Sequence, residues 1–400
     1  MIVRTLCVVS IVCLSVHGSA SDWPRFLGPG GAGTSADTGI NEAWNEKAPK
    51  ELWRLPLTDD GHAGPSVAAG KLYIVDHKGA NDVVRALDLN TGEQVWSFEY
   101  PEGGGSNHGF ARATPTIDNG KVYTLSRSGL LHCLAADDGK KIWGRNIIAD
   151  FKGRVPQWLV AMSPVIDGDK LIVAPGGPNA LIVALNKNTG ETIWAGGGSD
   201  KVSYATPLVA TIGGKKQYVI FASPSVLGID SENGKVLWRL PWQTRRGINV
   251  AVPLAFKNSV FIASGYRKGC ALVRVGPGRA EKVWENNEMQ AHFNSPITHE
   301  GHVYGTGDPG FLMCMDPNTG KTLWKQPGFE KGGILVIDGT IIALDGKNGD
   351  VIMAALTPQA YKELGRIKAP LGGRSWTPPI VADGKLVIRN MKAIACFDLK

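Results

Sequence analysis

The sequence predicts an all-β fold, an eight-bladed β-propeller of four-stranded antiparallel blades closed by pairing of the N- and C-terminal segments, and two repeated features carry that prediction. A tryptophan ends a short strand pattern at Trp53, Trp96, Trp143, Trp194, Trp238, Trp284 and Trp324, at spacings of 40–51 residues. Upstream of these, at Gly64-Pro65, Thr114-Pro115, Ser163-Pro164, Thr206-Pro207, Val252-Pro253 and Ser295-Pro296, a residue that is mostly small precedes a proline that opens an apolar run of strand length. Proline suits that place because it cannot donate to a ladder.

Within each unit the turns can be read in order. A pair such as Asn119-Gly120 or Asp383-Gly384 precedes an alternating strand, and a glycine stands four residues before five of the tryptophans, at Gly92, Gly139, Gly190, Gly234 and Gly320. Tight hairpins need positive φ, which glycine adopts without a Cβ clash. Each unit is therefore four short strands, a to d, and units of this length with four strands indicate a propeller blade rather than a helical solenoid.

The units run 65–96, 114–143, 163–194, 206–238, 252–284, 295–324, about 333–366 and 377–400. The last stops after strand c. The orphan segment Glu51–Leu57, with Trp53 in the strand-d place, supplies its outer strand, so blade eight is shared by both termini. The seventh unit has no opening proline, no glycine at the c–d turn, and Leu364 in the tryptophan place. It counts as a blade because seven blades would leave it as a long structureless loop.

With 43% apolar and 20% charged residues, the 400-residue chain buries a large core, and the repeats make residues 51–400 one closed domain. Residues 1–20, with Arg4, an apolar stretch and Gly18-Ser19-Ala20, read as a secretory signal peptide, the alternative being a retained anchor. Residues 21–50 form an N-terminal extension. Neither Cys7 nor Cys13 follows the Leu-small-small pattern of a lipoprotein signal, so the expected location is periplasmic or extracellular, soluble and not membrane-spanning after processing. Cys133, Cys314 and Cys396 share one strand-c position that holds Ala86 and Ala184 elsewhere, so a small buried side chain is expected there rather than a disulfide. A Cys270–Cys314 pair, in adjacent blades, stays open. No Cys/His spacing matches a zinc or haem site.

The phrases ALDLNTGEQVW, ALNKNTGETIW and CMDPNTGKTLW resemble the tryptophan-docking repeat of the eight-bladed quinoprotein propellers. That superfamily includes the pyrroloquinoline quinone (PQQ) dehydrogenases and the non-catalytic BamB-type outer-membrane assembly factors. The resemblance spans roughly residues 51–400 and implies that each tryptophan packs between neighbouring blades. The leader DWPRFLGPGGAG resembles one found on exported propellers of this kind, and its expected role is a structural cap packed against the rim. The dehydrogenases add a vicinal cysteine pair, calcium ligands and a catalytic aspartate, none of which can be matched here. The BamB type is lipid-anchored, and this chain departs from it in lacking a lipobox.

Antiparallel order places the d–a and b–c connections on one face and the a–b and c–d turns on the other. Lysines such as Lys71, Lys121, Lys170 and Lys385 populate the tight turns, whereas Arg112, Arg127, Arg145, Arg154, Arg245, Arg246, Arg267, Arg374 and Arg389 fall on the opposite face. Guanidinium forks suit carboxylates, phosphates and sulfates. Residues just before each strand a ring the channel mouth: His62, His108 and Arg112, Trp158, Tyr204, Arg246 and Asn249, His292 and Asn294, Arg374 and Trp376. The long connections 97–113 and 144–162 belong to this rim. It is the candidate site for an anionic or extended ligand, beside the plainer reading that these side chains bridge neighbouring blades and meet water. His62, His108 and His292 come from separate loops with no ligand spacing, so no metal is expected.

The leading expectation is an exported, non-catalytic binding or assembly platform with no cofactor, whose partner is an envelope protein, peptide or anionic glycan. The alternative is a PQQ- and calcium-dependent dehydrogenase of alcohols or sugars. A hydrolase or lyase would need paired carboxylates at the mouth, and the rim has none. The net charge of +7 favours acidic partners, and export disfavours nucleic acid.

Overall fold

The computed structural model describes residues 21–58, 60–103 and 108–400, so the segment expected to be a signal peptide and part of the GGGSNHGFAR loop lie outside the described residues. Among the described residues are eight four-stranded antiparallel sheets, each in simple sequential order except one. The exception is the closing blade, where Lys50–Pro56 pairs with Ala393–Asp398, followed inward by Lys385–Arg389 and Ile380–Ala382. Trp53 there faces Cys396 across the ladder.

The tryptophan sits at the same place in blade after blade. It opposes a strand-c residue just where the ladder carries a bulge: Ala86 with Trp96, Cys133 with Trp143, Ala184 with Trp194, Cys314 with Trp324. Its indole N–H donates to a carbonyl in the c–d turn of the next blade, Trp53 to Leu89 at 2.8 Å, Trp96 to Ala136 at 3.0 Å and Trp143 to Lys187 at 3.1 Å. Trp194, whose indole N–H has no acceptor among the described residues, and Trp238 are exceptions. The blade after that of Trp238 has only a two-residue c–d turn between Gly269–Gly276 and Arg279–Asn286, and this indole turns to Gln217 of its own blade at 2.6 Å.

That docking explains the glycines more fully than turn geometry does. Gly92 has φ of 75°, and a Cβ there would lie 2.8 Å from the ring of Trp53. At Gly139 the same atom would lie 2.6 Å from Trp96. Each glycine pairs with the tryptophan of the preceding blade, not with the one four residues on.

In blade seven, strands Ile334–Ile337, Thr340–Leu344, Val351–Ala355 and Glu363–Ile367 form a complete sheet. Here the register corrects the sequence by one residue: Met353 opposes Gly365, so Gly365 holds the tryptophan place and Leu364 lies on the bulge. The missing indole comes from the N-terminal extension. Trp44, 2% exposed, packs so closely that a Cβ on Gly365 would lie 2.4 Å from its own Cβ. The glycine turn has also moved. Gly349 N–H closes on Asp345 C=O at 2.8 Å, as Gly92 does on Asp88, but this turn joins strands b and c.

The leader DWPRFLGPGGAG is a plug in the channel, rather than a cap on the rim. Trp23 exchanges backbone bonds with Val67, Pro24 C=O accepts from Ile117, and Val336 N–H donates to Gly33, so it ties to strands a of blades one, two and seven. Asp22 and Asp37 accept from Ala69 and Gly384 in the a–b turns of blades one and eight. The segment thus fills the channel from the turn face.

All four described cysteines are free and buried, and Cys270 meets the sulfur of Met315 at 4.0 Å rather than Cys314. The open disulfide pair is therefore not formed. No described helix is long and apolar enough to cross a membrane.

Candidate functional site

The inner ends of the blades are stitched before they open into loops. Thr114 N–H donates to Ser163 Oγ at 3.0 Å, Ser163 N–H to Thr206 Oγ1 at 3.0 Å, and Val252 N–H to Ser295 Oγ at 2.9 Å. The residue before each proline is thus often a hydroxyl because it ties one blade to the next. Above this ring, on the face of the d–a and b–c loops, lies a cavity of ≈ 210 Å³.

Seven of the predicted rim residues line this cavity: His62, His108, Arg112, Trp158, Tyr204, Asn294 and Trp376. Phe26 of the plug, Tyr266 and Phe293 line it too, and the sequence pattern did not single them out. Tyr266 stands in the b–c loop of blade five, where a pattern tied to strand a does not look. Phe26 belongs to a segment outside the repeat altogether.

The walls are aromatic and the charges on them positive. His62 stacks on Trp376 at 5.3 Å between centroids, and Phe293 meets the same indole at 4.7 Å. Arg374 lies 4.5 Å over Trp376, and Arg246 lies 5.9 Å over Trp158. Such placement holds a guanidinium beside the mouth through cation–π attraction. Burial, then the charges of Arg389, Arg112 and Arg374, push the His62 imidazole down to about 3. Burial, then Arg112 and Arg374, also lower His108. No aspartate or glutamate is among the lining residues.

Four predicted residues stand off the cavity wall. Asn249 is fully buried, its amide donating to Ala222 C=O at 2.7 Å and accepting from Ser264 Oγ at 2.8 Å, so it serves the scaffold. His292 is 7% exposed and pairs with Asp308 at 2.8 Å. Arg374 and Arg246 stand over the wall indoles, and Arg246 reaches a neighbouring cleft. Three arginines of this face are structural. Arg389, fully buried, donates to Ala63 and Gly61 carbonyls at 2.8 Å, Arg127 meets Glu102 at 3.4 Å, and Arg145 pairs with Asp150 at 2.7 Å.

Buried polar atoms of the wall residues that lack a hydrogen-bond partner among the described residues include His62 Nε2 and Asn294 Oδ1. Buried groups of this kind ordinarily find one. The Asn294 amide nitrogen is held by Lys331 C=O at 2.7 Å and Trp376 C=O at 3.2 Å, which fixes its oxygen as an acceptor. Among the described residues, no group of three His, Cys, Asp or Glu side chains could hold a metal ion. Calcium needs several oxygen ligands, usually with carboxylates among them, and the lining offers no carboxylate. It also offers no cysteine, so the donor set does not fit the quinone–calcium pair of the dehydrogenases.

Comparison with known proteins agrees with the geometry. The chain is 22% identical over 359 residues to "Outer membrane protein assembly factor BamB" of Yersinia pestis, covering 86% of this chain and 77% of that one. The crystal structure of BamB from Moraxella catarrhalis superposes with a TM-score of 0.62 at 18% identity, covering 88% of this chain and 99% of that one. The quinohemoprotein alcohol dehydrogenase of Comamonas testosteroni superposes with a TM-score of 0.70 at 15% identity, covering 94% and 80%, a likeness of fold alone. The family model described as "Outer membrane protein assembly factor BamB" matches residues 36–105 and 80–326, well over half of the chain, and the protein therefore belongs to that family of β-propellers.

Proposed function

We propose that this protein is an exported, non-catalytic binding platform of the cell envelope, which holds an anionic group of a partner protein, peptide or glycan in the mouth cavity. The supporting observation is the lining: aromatic walls with Arg374 and Arg246 standing over two of the indoles, and no carboxylate among the described lining residues. A concave apolar site with a few convergent polar groups is the usual form of a ligand pocket. Relatives named as outer membrane protein assembly factors favour an envelope protein as the partner.

Calorimetric titration with benzoate, a small aromatic carboxylate, tests this. Saturable binding that weakens in an Arg246→Ala/Arg374→Ala variant is expected, with an unchanged melting temperature because both side chains are exposed. Absence of binding, or a large loss of stability in the variant, would overturn it. The dehydrogenase alternative is checked by titrating with PQQ and Ca²⁺ and following absorbance and dye reduction with alcohols and sugars, where no saturable change is expected.

A further inference from the structure

Beside the mouth, between blades three and four, a cleft of ≈ 440 Å³ opens on the same face. Arg154, Lys201 and Arg246 line it, all three exposed, and none makes an ion pair among the described residues. The one lining carboxylate, Asp200, is already engaged by Arg239 at 2.6 Å and by Ser225 Oγ. Backbone at Gly176, Gly177 and Gly247 keeps the floor open. Tyr204 lines both the cleft and the mouth cavity, and its hydroxyl accepts from Trp158 N–H at 3.2 Å, so the two spaces share this wall.

We infer that cleft and cavity form one site for an extended acidic peptide whose C-terminal carboxylate enters the cavity. The assignment rests on the platform reading above and names its ligand. Four observations converge. The plug fills the channel from the turn face, so a chain cannot thread through and must end in the cavity. The guanidinium groups of Arg374 and Arg246 beside the cavity, and the absence of a carboxylate from its described lining, select a carboxylate end over an ammonium end. Asn294 Oδ1, on a side chain 4% exposed, needs a donor, which a backbone N–H next to the terminal carboxylate supplies and a simple anion does not. The unpaired cations of the cleft then meet acidic side chains upstream, where guanidinium–carboxylate pairs are both strong and directional.

Fluorescence anisotropy on the full chain tests the inference. The probes are a short acidic peptide labelled at its N-terminus with a free C-terminal carboxylate, and the same peptide as its C-terminal amide. The free acid should bind saturably and the amide about tenfold or more weakly. An Arg154→Ser/Lys201→Ser variant should weaken the peptide by a similar factor yet leave benzoate binding unchanged. Equal binding of acid and amide, or no effect of the cleft substitutions, overturns the assignment. Tighter competition by an oligogalacturonate than by the free-acid peptide overturns it in favour of a glycan. If benzoate binds and the peptide does not, only this assignment falls, whereas failure of both removes the platform reading as well.

Discussion

A glycine at a turn and a tryptophan four residues later look like one local motif, yet their contacts lie in different blades. Gly139 carries two constraints, a φ of 75° and the ring of Trp96 within 2.6 Å of its missing Cβ, while Gly120, at a φ of 71°, has open space around it. Left-handed strain alone should make Gly120→Ala cost about 1 kcal/mol, and overpacking should add about 1–3 kcal/mol at Gly139→Ala. Equal losses in urea unfolding would remove the packing argument. His62 supplies a pH prediction. Its imidazole titrates at about 3 when folded and near 6.5 when unfolded, so the unfolded chain takes the proton first. Its contribution to stability is therefore complete above pH 6.5 and is lost as the pH falls from there toward 3, and buried His132, pushed down to about 4, acts in the same direction. Denaturation midpoints for His62→Gln should vary less steeply over that window than those of the parent protein, and an unchanged slope would clear His62 as the cause.

Strands and turns were legible wherever the repeat repeats, because strand period and turn chemistry act over a few residues. Blade eight was legible too, since an orphan outer strand and a blade lacking one leave a single pairing that abolishes both edges. Removing Thr377–Lys400 should abolish cooperative folding, read by thermal circular dichroism, because Lys50–Pro56 then has no ladder. Blade seven was legible only in outline. Its tryptophan is Trp44, distant in sequence, and Gly365 is small because the Cβ and backbone of Trp44 lie on it. Trp44→Ala should cost about 3–5 kcal/mol, and a loss below about 1 kcal/mol, the scale of an ordinary substitution, would show that Leu364 fills the gap unaided. The N-terminal leader was misplaced for the same reason: its contacts are with strands a of several blades, and no local pattern records them.

At the scale of the molecule, the ring decides which charges remain available. The sequence places nine arginines on one face, and folding consumes Arg127, Arg145 and Arg389 in carbonyl and carboxylate pairs while leaving Arg246 and Arg374 over indoles. Benzoate and acidic-peptide affinities should therefore fall as salt is raised from low to physiological strength, where the Debye length shrinks to about 8 Å. A salt-independent affinity would instead point to apolar contact alone. Seven of the eleven rim residues named from the sequence line the mouth cavity, since strand a must be innermost. Separating wall from scaffold was not possible in one dimension: Asn249 and Asn294 look alike in sequence, but one has both ends of its amide satisfied and the other, in the cavity wall, keeps a buried oxygen without a partner.

The sequence by itself determined the fold class, the blade count, the closure through Trp53 and the rim from which the cavity is built, because alternation, turn glycines and a fixed tryptophan spacing are local signals multiplied by repetition. Tertiary structure alone decided that the channel is plugged by Phe26 and its neighbours, that Trp44 completes blade seven, and that the cleft of Arg154 and Lys201 adjoins the mouth. Those contacts join segments outside the repeat to distant strands, or loops of neighbouring blades to one another, and only tertiary packing brings them together.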